Sequence, residues 1–165
     1  MSIKDILWIE DSAYNENTQL AAPVYLSGEY DLTIALNATE GMEKLRAGTF
    51  EAVVVDIRIP PGENERFLSS YYQLNRDNKA TRLGLKLLEV VLGRHDSSWG
   101  EFPATARDKS RYGVLSVESG AEFRAALENL GVAVYRDRAG GRDPELLLNM
   151  FEEIIARRKD AGYAL

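Results

Sequence analysis

Apolar residues in this chain fall into short blocks, and two blocks differ from the rest. Ile6-Leu7-Trp8-Ile9 and Ala52-Val53-Val54-Val55 are apolar at every position, with no alternation. A block of that kind predicts a strand covered on both faces, as in the middle of a parallel sheet. Both blocks stop in acids: Glu10-Asp11 after the first and Asp56 after the second, the latter closing a strand that runs from Phe50. Open α/β sheets place their ligands at the carboxyl ends of such strands. Three carboxylates delivered to one sheet edge are hard to explain by folding alone.

The remaining blocks alternate between strand and helix periods. Ser12 to Leu26 has helical content, with Tyr14, Leu20, Ala21, Val24 and Tyr25 on one side and Pro23 as an interruption. Tyr30 to Leu36 alternates as a strand. Asn37 and Glu40 form a capping box for a helix with Met42 and Leu45 inward, which Gly48 ends. After Asp56 the order lapses into the loop Ile59-Pro60-Pro61-Gly62-Glu63-Asn64. An added helix follows at Glu65 to Leu74, with Phe67, Leu68, Tyr71 and Leu74 on one face, then a polar stretch from Asn75 to Ala80. Leu83 to Leu92 reads as a helix with Leu87, Leu88 and Val91 inward. Arg94 to Lys109 reads as a long polar loop, and a loop of that length counts as functional or as a misassignment.

The alternation then resumes. Tyr112 to Val117 is a strand, Ser119 to Leu130 a helix opened by a capping box, and Val132 to Tyr135 a strand. Asp143-Pro144-Glu145 opens a final helix with an apolar stripe of Leu146, Leu147, Met150, Phe151, Ile154 and Ile155. Strands alternating with helices through short links predict a parallel α/β sheet with right-handed crossovers. No repeat and no second domain is visible. The expectation is a single domain over 1–165, with an insertion at about 61–83 and a long loop at about 94–109.

Composition narrows the chemistry. The 165 residues include no cysteine and a single histidine, His95, so thiolate sites, disulfides and histidine dyads are excluded. His95 sits in the polar loop and is expected to be exposed and without a role. The net charge of −6 argues against nucleic acid as a partner. No signal peptide and no apolar stretch of membrane-spanning length is present, so a cytoplasmic protein is expected. Tyr71, Tyr72, Trp99 and Phe102 either cover extra core or form an exposed patch, with core expected for at least two of them.

Four segments resemble a known family: Ile6-Leu7-Trp8-Ile9-Glu10-Asp11, Asn37-Ala38-Thr39-Glu40-Gly41-Met42, Val53-Val54-Val55-Asp56-Ile57-Arg58-Ile59-Pro60 and Gly84-Leu85-Lys86-Leu87-Leu88. In register, they resemble the receiver domain of two-component response regulators. The resemblance implies a doubly wound five-stranded sheet of order 2-1-3-4-5, flavodoxin-like. It also implies that Asp56 is the phospho-acceptor. Mg²⁺ would be held by Glu10, Asp11, Asp56 and the backbone carbonyl of Arg58, and Ser116 would be the hydroxyl that senses the phosphoryl group. The family's lysine and proline after the fifth strand are missing. Arg136 stands just past the apolar run, Arg138 fits if the loop is counted without a gap, and Arg136 is the preferred replacement. The stretch from Asp56 to Ser116 holds about a helix and a long loop more than the family needs.

The elementary chemistry agrees. Clustered carboxylates repel and titrate as a set, and a hard divalent cation relieves the repulsion. A carboxylate can then serve as nucleophile and form an acyl phosphate. The implied function is a stand-alone receiver, a phospho-acceptor rather than a turnover enzyme. Its partners would be a histidine kinase or phosphotransfer protein and a downstream protein, and a homodimer is possible. The alternative is a pseudo-receiver, an interaction module that is never phosphorylated. A phosphatase with an aspartate nucleophile would need a second aspartate two positions after Asp56, where Arg58 stands. A dinucleotide enzyme would need a G-x-G-x-x-G after the first strand, and Asp11-Ser12-Ala13 offers none.

Overall fold

Why the two unbroken apolar runs exist is plain from the computed structural model, which describes residues 2–74, 82–93, 97–117, 120–138 and 143–162. The strands are β1 (Lys4–Ile9), β2 (Tyr30–Ala35), β3 (Ala52–Val55), β4 (Tyr112–Ser116) and β5 (Val134–Asp137). The helices are α1 (Thr18–Ser27), α2 (Ala38–Ala47), α3 (Glu65–Leu74), α4 (Leu83–Leu92), α5 (Ala121–Leu130) and α6 (Leu146–Asp160). All strand pairs are parallel and the order is β2-β1-β3-β4-β5. The two runs are therefore neighbours, with Ile6 to Ile9 paired to Ala52 to Val55.

Period-two alternation splits these strands between two apolar layers. Leu7, Ile9, Val53, Val55 and Val114 face a layer closed by α2, α3, α4 and α5. Ile6, Trp8, Ala52, Val54 and Leu115 face a second layer closed by α1 and α6. A strand apolar at every position is what a sheet covered on both faces demands.

Several local expectations shift. Helix α1 begins only at Thr18, and Tyr14 and Tyr25 point to solvent, while Leu20, Ala21 and Val24 are buried. Pro23 sits inside α1 and removes one backbone donor there. Asn37 Oδ1 accepts from the Glu40 N–H at 2.8 Å, and Asn37 Nδ2 donates to Glu40 Oε2 at 2.6 Å, so Glu40 grips the cap side chain directly. Asp143 makes a turn with the Glu145 N–H at 2.9 Å and α6 starts three residues later, at Leu146. The polar stretch 75–80, His95 and Ser119 of the second capping box lie outside the described residues.

The segment that follows β3 is tied down. Thr39 Oγ1 donates to the Pro61 carbonyl at 2.7 Å and accepts from the Asn64 N–H at 2.9 Å. Gly62 has φ +76° with Asn37 and Thr39 where a Cβ would stand, so this crossing needs glycine. The rings of Phe67 on α3 and Trp99 lie 5.0 Å apart, with the Arg66 guanidinium 4.0 Å over Trp99 and that of Arg46 4.9 Å over Phe102. Trp99 and Phe102 are core and Tyr72 is 66% exposed.

Candidate functional site: an acidic notch at the carboxyl ends of β1 and β3

The register of the central strands builds the site. Ile9 is paired with Val55, so Glu10 and Asp56 are the next residues on adjacent strands. Their backbones are held at that edge: the Glu10 N–H reaches the Ala35 carbonyl at 2.9 Å and the Asp56 N–H reaches the Ile9 carbonyl at 2.9 Å. Glu10 and Asp56 are fully buried, whereas Asp11 is exposed. Each of the three carboxylates offers one oxygen within 4.8 Å of the others, so Glu10, Asp11 and Asp56 converge.

Each buried carboxylate has one oxygen anchored and one turned to a cation. Glu10 Oε1 accepts from the Ser12 N–H at 3.2 Å and the Ser12 hydroxyl at 3.0 Å, and Glu10 Oε2 accepts from Arg138 Nη1 at 2.8 Å. Asp56 Oδ1 accepts from the Arg58 N–H at 3.2 Å. Asp56 Oδ2 lies 3.3 Å from Arg138 Nη2, an ion-pair distance without hydrogen-bond alignment, and takes no hydrogen bond among the described residues.

This geometry perturbs the acids. Burial, then the charge and proton-sharing contact of Asp56, push Glu10 up to about 7, against the pull of Arg138. Burial also raises Asp56, opposed by Glu10, Arg138 and the Arg58 amide. Asp11 is raised by burial and by its neighbour Glu10. One guanidinium therefore does not neutralise the set. Clustered hard oxygens with charge left over fit a hard divalent cation such as Mg²⁺.

The placement of Arg136 is corrected. Val134 belongs to the layer under α6, and two residues later Arg136 lies on the same side of β5, where it pairs with Glu153 of α6. It is 45% exposed and outside the notch. Arg138, one residue past β5, enters the notch instead. Its N–H is held by the Ser116 carbonyl at 3.2 Å, and Ser116 itself is buried at the end of β4, in register with Asp137. Arg58 lies on the exposed side of the turn after β3. The end of β5 at Asp137 is what separates Arg136, inside the strand, from Arg138, just past it. Ser12 orients Glu10, and its spacing two residues after the acid is the only mark of that role in the sequence.

Gly84 explains another part of the pattern. A Cβ there would lie 2.0 Å from the Asp56 carbonyl oxygen and 2.7 Å from Ile57 Cα, and the Gly84 N–H donates to the Ile57 carbonyl at 2.9 Å. The start of α4 rests directly on the backbone that carries Asp56.

No family model matches the sequence, and neither does any curated protein. Solved structures do match. A receiver domain protein of the CheY-like type from Methanospirillum hungatei aligns over 98% of this chain and 100% of its own, with TM-score 0.62 and 20% identity. The HemR receiver domain from Leptospira biflexa aligns over 93% and 94%, with TM-score 0.61 and 19% identity. The chemotaxis regulator CheY4 of Vibrio cholerae aligns over 93% and 99%, with TM-score 0.57 and 16% identity. The parallel sheet of order 2-1-3-4-5 is the fold of response regulator receiver domains.

Proposed function

We propose that the chain is a receiver that accepts a phosphoryl group on Asp56 and signals by protein–protein interaction. The observation that carries this is the convergence of Glu10, Asp11 and Asp56 on one notch at the carboxyl edge of neighbouring strands. A divalent cation, when bound, would neutralise charge on the carboxylates and on the incoming phosphoryl group. Glu10, Asp11, Asp56 and the backbone carbonyl of Arg58 are the ligands proposed for it. Asp56 Oδ1 accepts from the Arg58 amide and Oδ2 takes no hydrogen bond among the described residues, and the Asp56 carboxylate is the nucleophile. Its lone pair forms the O–P bond while the P–N bond of a phosphohistidine donor breaks. The imidazole departs, and an acyl phosphate remains on Asp56. Ser116, at the end of β4, is the hydroxyl proposed to meet the phosphoryl group.

The donor would be a histidine kinase or phosphotransfer protein. The output would be a protein docked on the α5 and β5 surface or on the inserted segment, with a homodimer as one form of it. Phosphorylation would act as a local charge change that biases a two-state surface.

The test is direct. In a Trp99→Phe background Trp8 is the single tryptophan, two residues before Glu10. Mg²⁺ with beryllofluoride is expected to change its fluorescence, and a small phosphodonor is expected to add a phosphate mass that Asp56→Asn lacks. An unchanged spectrum together with no mass increment would remove the phospho-acceptor reading. The second reading, an interaction module that is never phosphorylated, is favoured by one observation: Arg138 already bridges Glu10 and Asp56. It predicts that neither signal appears although the protein is folded.

A further inference from the structure

We propose that Arg138 is a resident counter-cation of the notch, which a divalent ion must displace from Asp56 before that carboxylate can react. The inference rests on the reading above and deepens it. Its basis is which oxygens are already taken. Ser12 holds Glu10 Oε1, and the Arg58 amide holds Asp56 Oδ1. Besides the exposed Asp11 carboxylate, the oxygens left to face a shared cation are Glu10 Oε2 and Asp56 Oδ2, and the two arms of the Arg138 guanidinium lie against these last two, at 2.8 and 3.3 Å. A guanidinium keeps its charge at every accessible pH, and its planar fork spans two carboxylates as an ammonium cannot. Two cations cannot share those oxygens without strong repulsion in a buried site.

The two arms are unequal. The arm on Glu10 is a hydrogen bond, whereas the arm on Asp56 is longer and unaligned. The backbone of Arg138 is pinned to Ser116, but its side chain remains 20% exposed, so the guanidinium has a path outward. Displacement thus releases Asp56 first. The Arg138 contact covers Oδ2, an oxygen the divalent ion would take, and so acts as a plug on the metal site in the resting protein.

Titration of the whole chain with Mn²⁺ tests this, with free Mn²⁺ followed by electron paramagnetic resonance at pH 7.5. The wild type is compared with Arg138→Gln and Arg138→Lys, and circular dichroism checks that each is folded. Arg138→Gln is expected to bind Mn²⁺ at least tenfold more tightly, about 1.4 kcal/mol, and Arg138→Lys to fall between it and the wild type. Saturable binding of equal strength in all three, or weaker binding in Arg138→Gln, would overturn the displacement while leaving the phospho-acceptor reading intact. No saturable binding in any of the three would overturn both. If Arg138→Gln does not fold, the lysine variant decides: tighter binding than wild type supports the plug, and equal binding refutes it.

Discussion

Glu10 should make the metal-free protein less stable as the solution approaches neutrality. An unfolded glutamate titrates near 4.5, and in the folded chain Glu10 is pushed up to about 7 by burial and by Asp56. Between those values the native state binds the extra proton, so stability falls as pH rises and is flat on either side of the window. That rise corresponds to about 3 kcal/mol as an upper bound, because Glu10 shares its titration with Asp56 and Asp11. Glu10→Gln imitates the protonated acid, since its amide can donate to Asp56 as the carboxylic acid does. The assay is urea unfolding of both proteins at pH 5 and pH 7.5 in EDTA. The variant should exceed the wild type by less than about 1 kcal/mol at pH 5, near the lower edge of that window, and by up to about 3 kcal/mol at pH 7.5. In thermal unfolding that is about 9 °C at this chain length. Adding Mg²⁺ should restore part of the wild-type deficit, because a bound cation stabilises the ionised acids. A difference between the proteins that does not change from pH 5 to pH 7.5, or a variant less stable at pH 7.5, would refute the electrostatic account of the notch.

Two further predictions concern residues outside the carboxylates. Gly84→Ala places a methyl group 2.0 Å from the Asp56 carbonyl oxygen, which forces α4 off the end of β3; denaturant unfolding should show a loss of about 3 kcal/mol or more, with Mn²⁺ affinity falling as Asp56 moves. Arg158 is buried, donates to Asp108 at 2.7 Å and also bonds Ser110, joining α6 to the turn before β4. Burial opposes ionisation of Asp108, but the bonds from Ser110 and Arg158 win and hold it below the usual carboxylate range. The stability this contributes is present above pH ~4 and lost as pH falls through the lowered value. Arg158→Met should cost about 2 kcal/mol at neutral pH, and the loss should shrink in an acid titration of stability below pH 4; a constant loss would show that packing, not charge, is what Arg158 supplies.

Much of the site was legible because strand ends are abrupt. An unbroken apolar run that stops in a carboxylate says both that the strand is central and where it ends, so Glu10, Asp11 and Asp56 stood out together. Gly84 was visible as part of a motif, but only the packing of α4 on the Asp56 carbonyl gives its reason. The long stretch after Asp56 was legible as helix, polar loop and helix. That Trp99 and Phe102 return from the far loop to cover α3 and α2 was not, since aromatic residues in a polar loop look alike whether they pack or bind.

The layered parallel architecture and the acids at one edge follow from the order of residues alone, because hydrophobic period and the placement of charge are local properties of the chain. Which arginine meets those acids is set by the packing of the folded chain. Arg136 and Arg138 are equivalent in composition and nearly so in position, yet β5 continues to Asp137 and turns Arg136 toward Glu153 of α6. Arg138, freed from the strand's alternation, reaches across β4 to Glu10 and Asp56. That choice depends on where a sheet ladder ends and on what lies 128 residues away in the chain, and neither is written in the neighbourhood of the arginines.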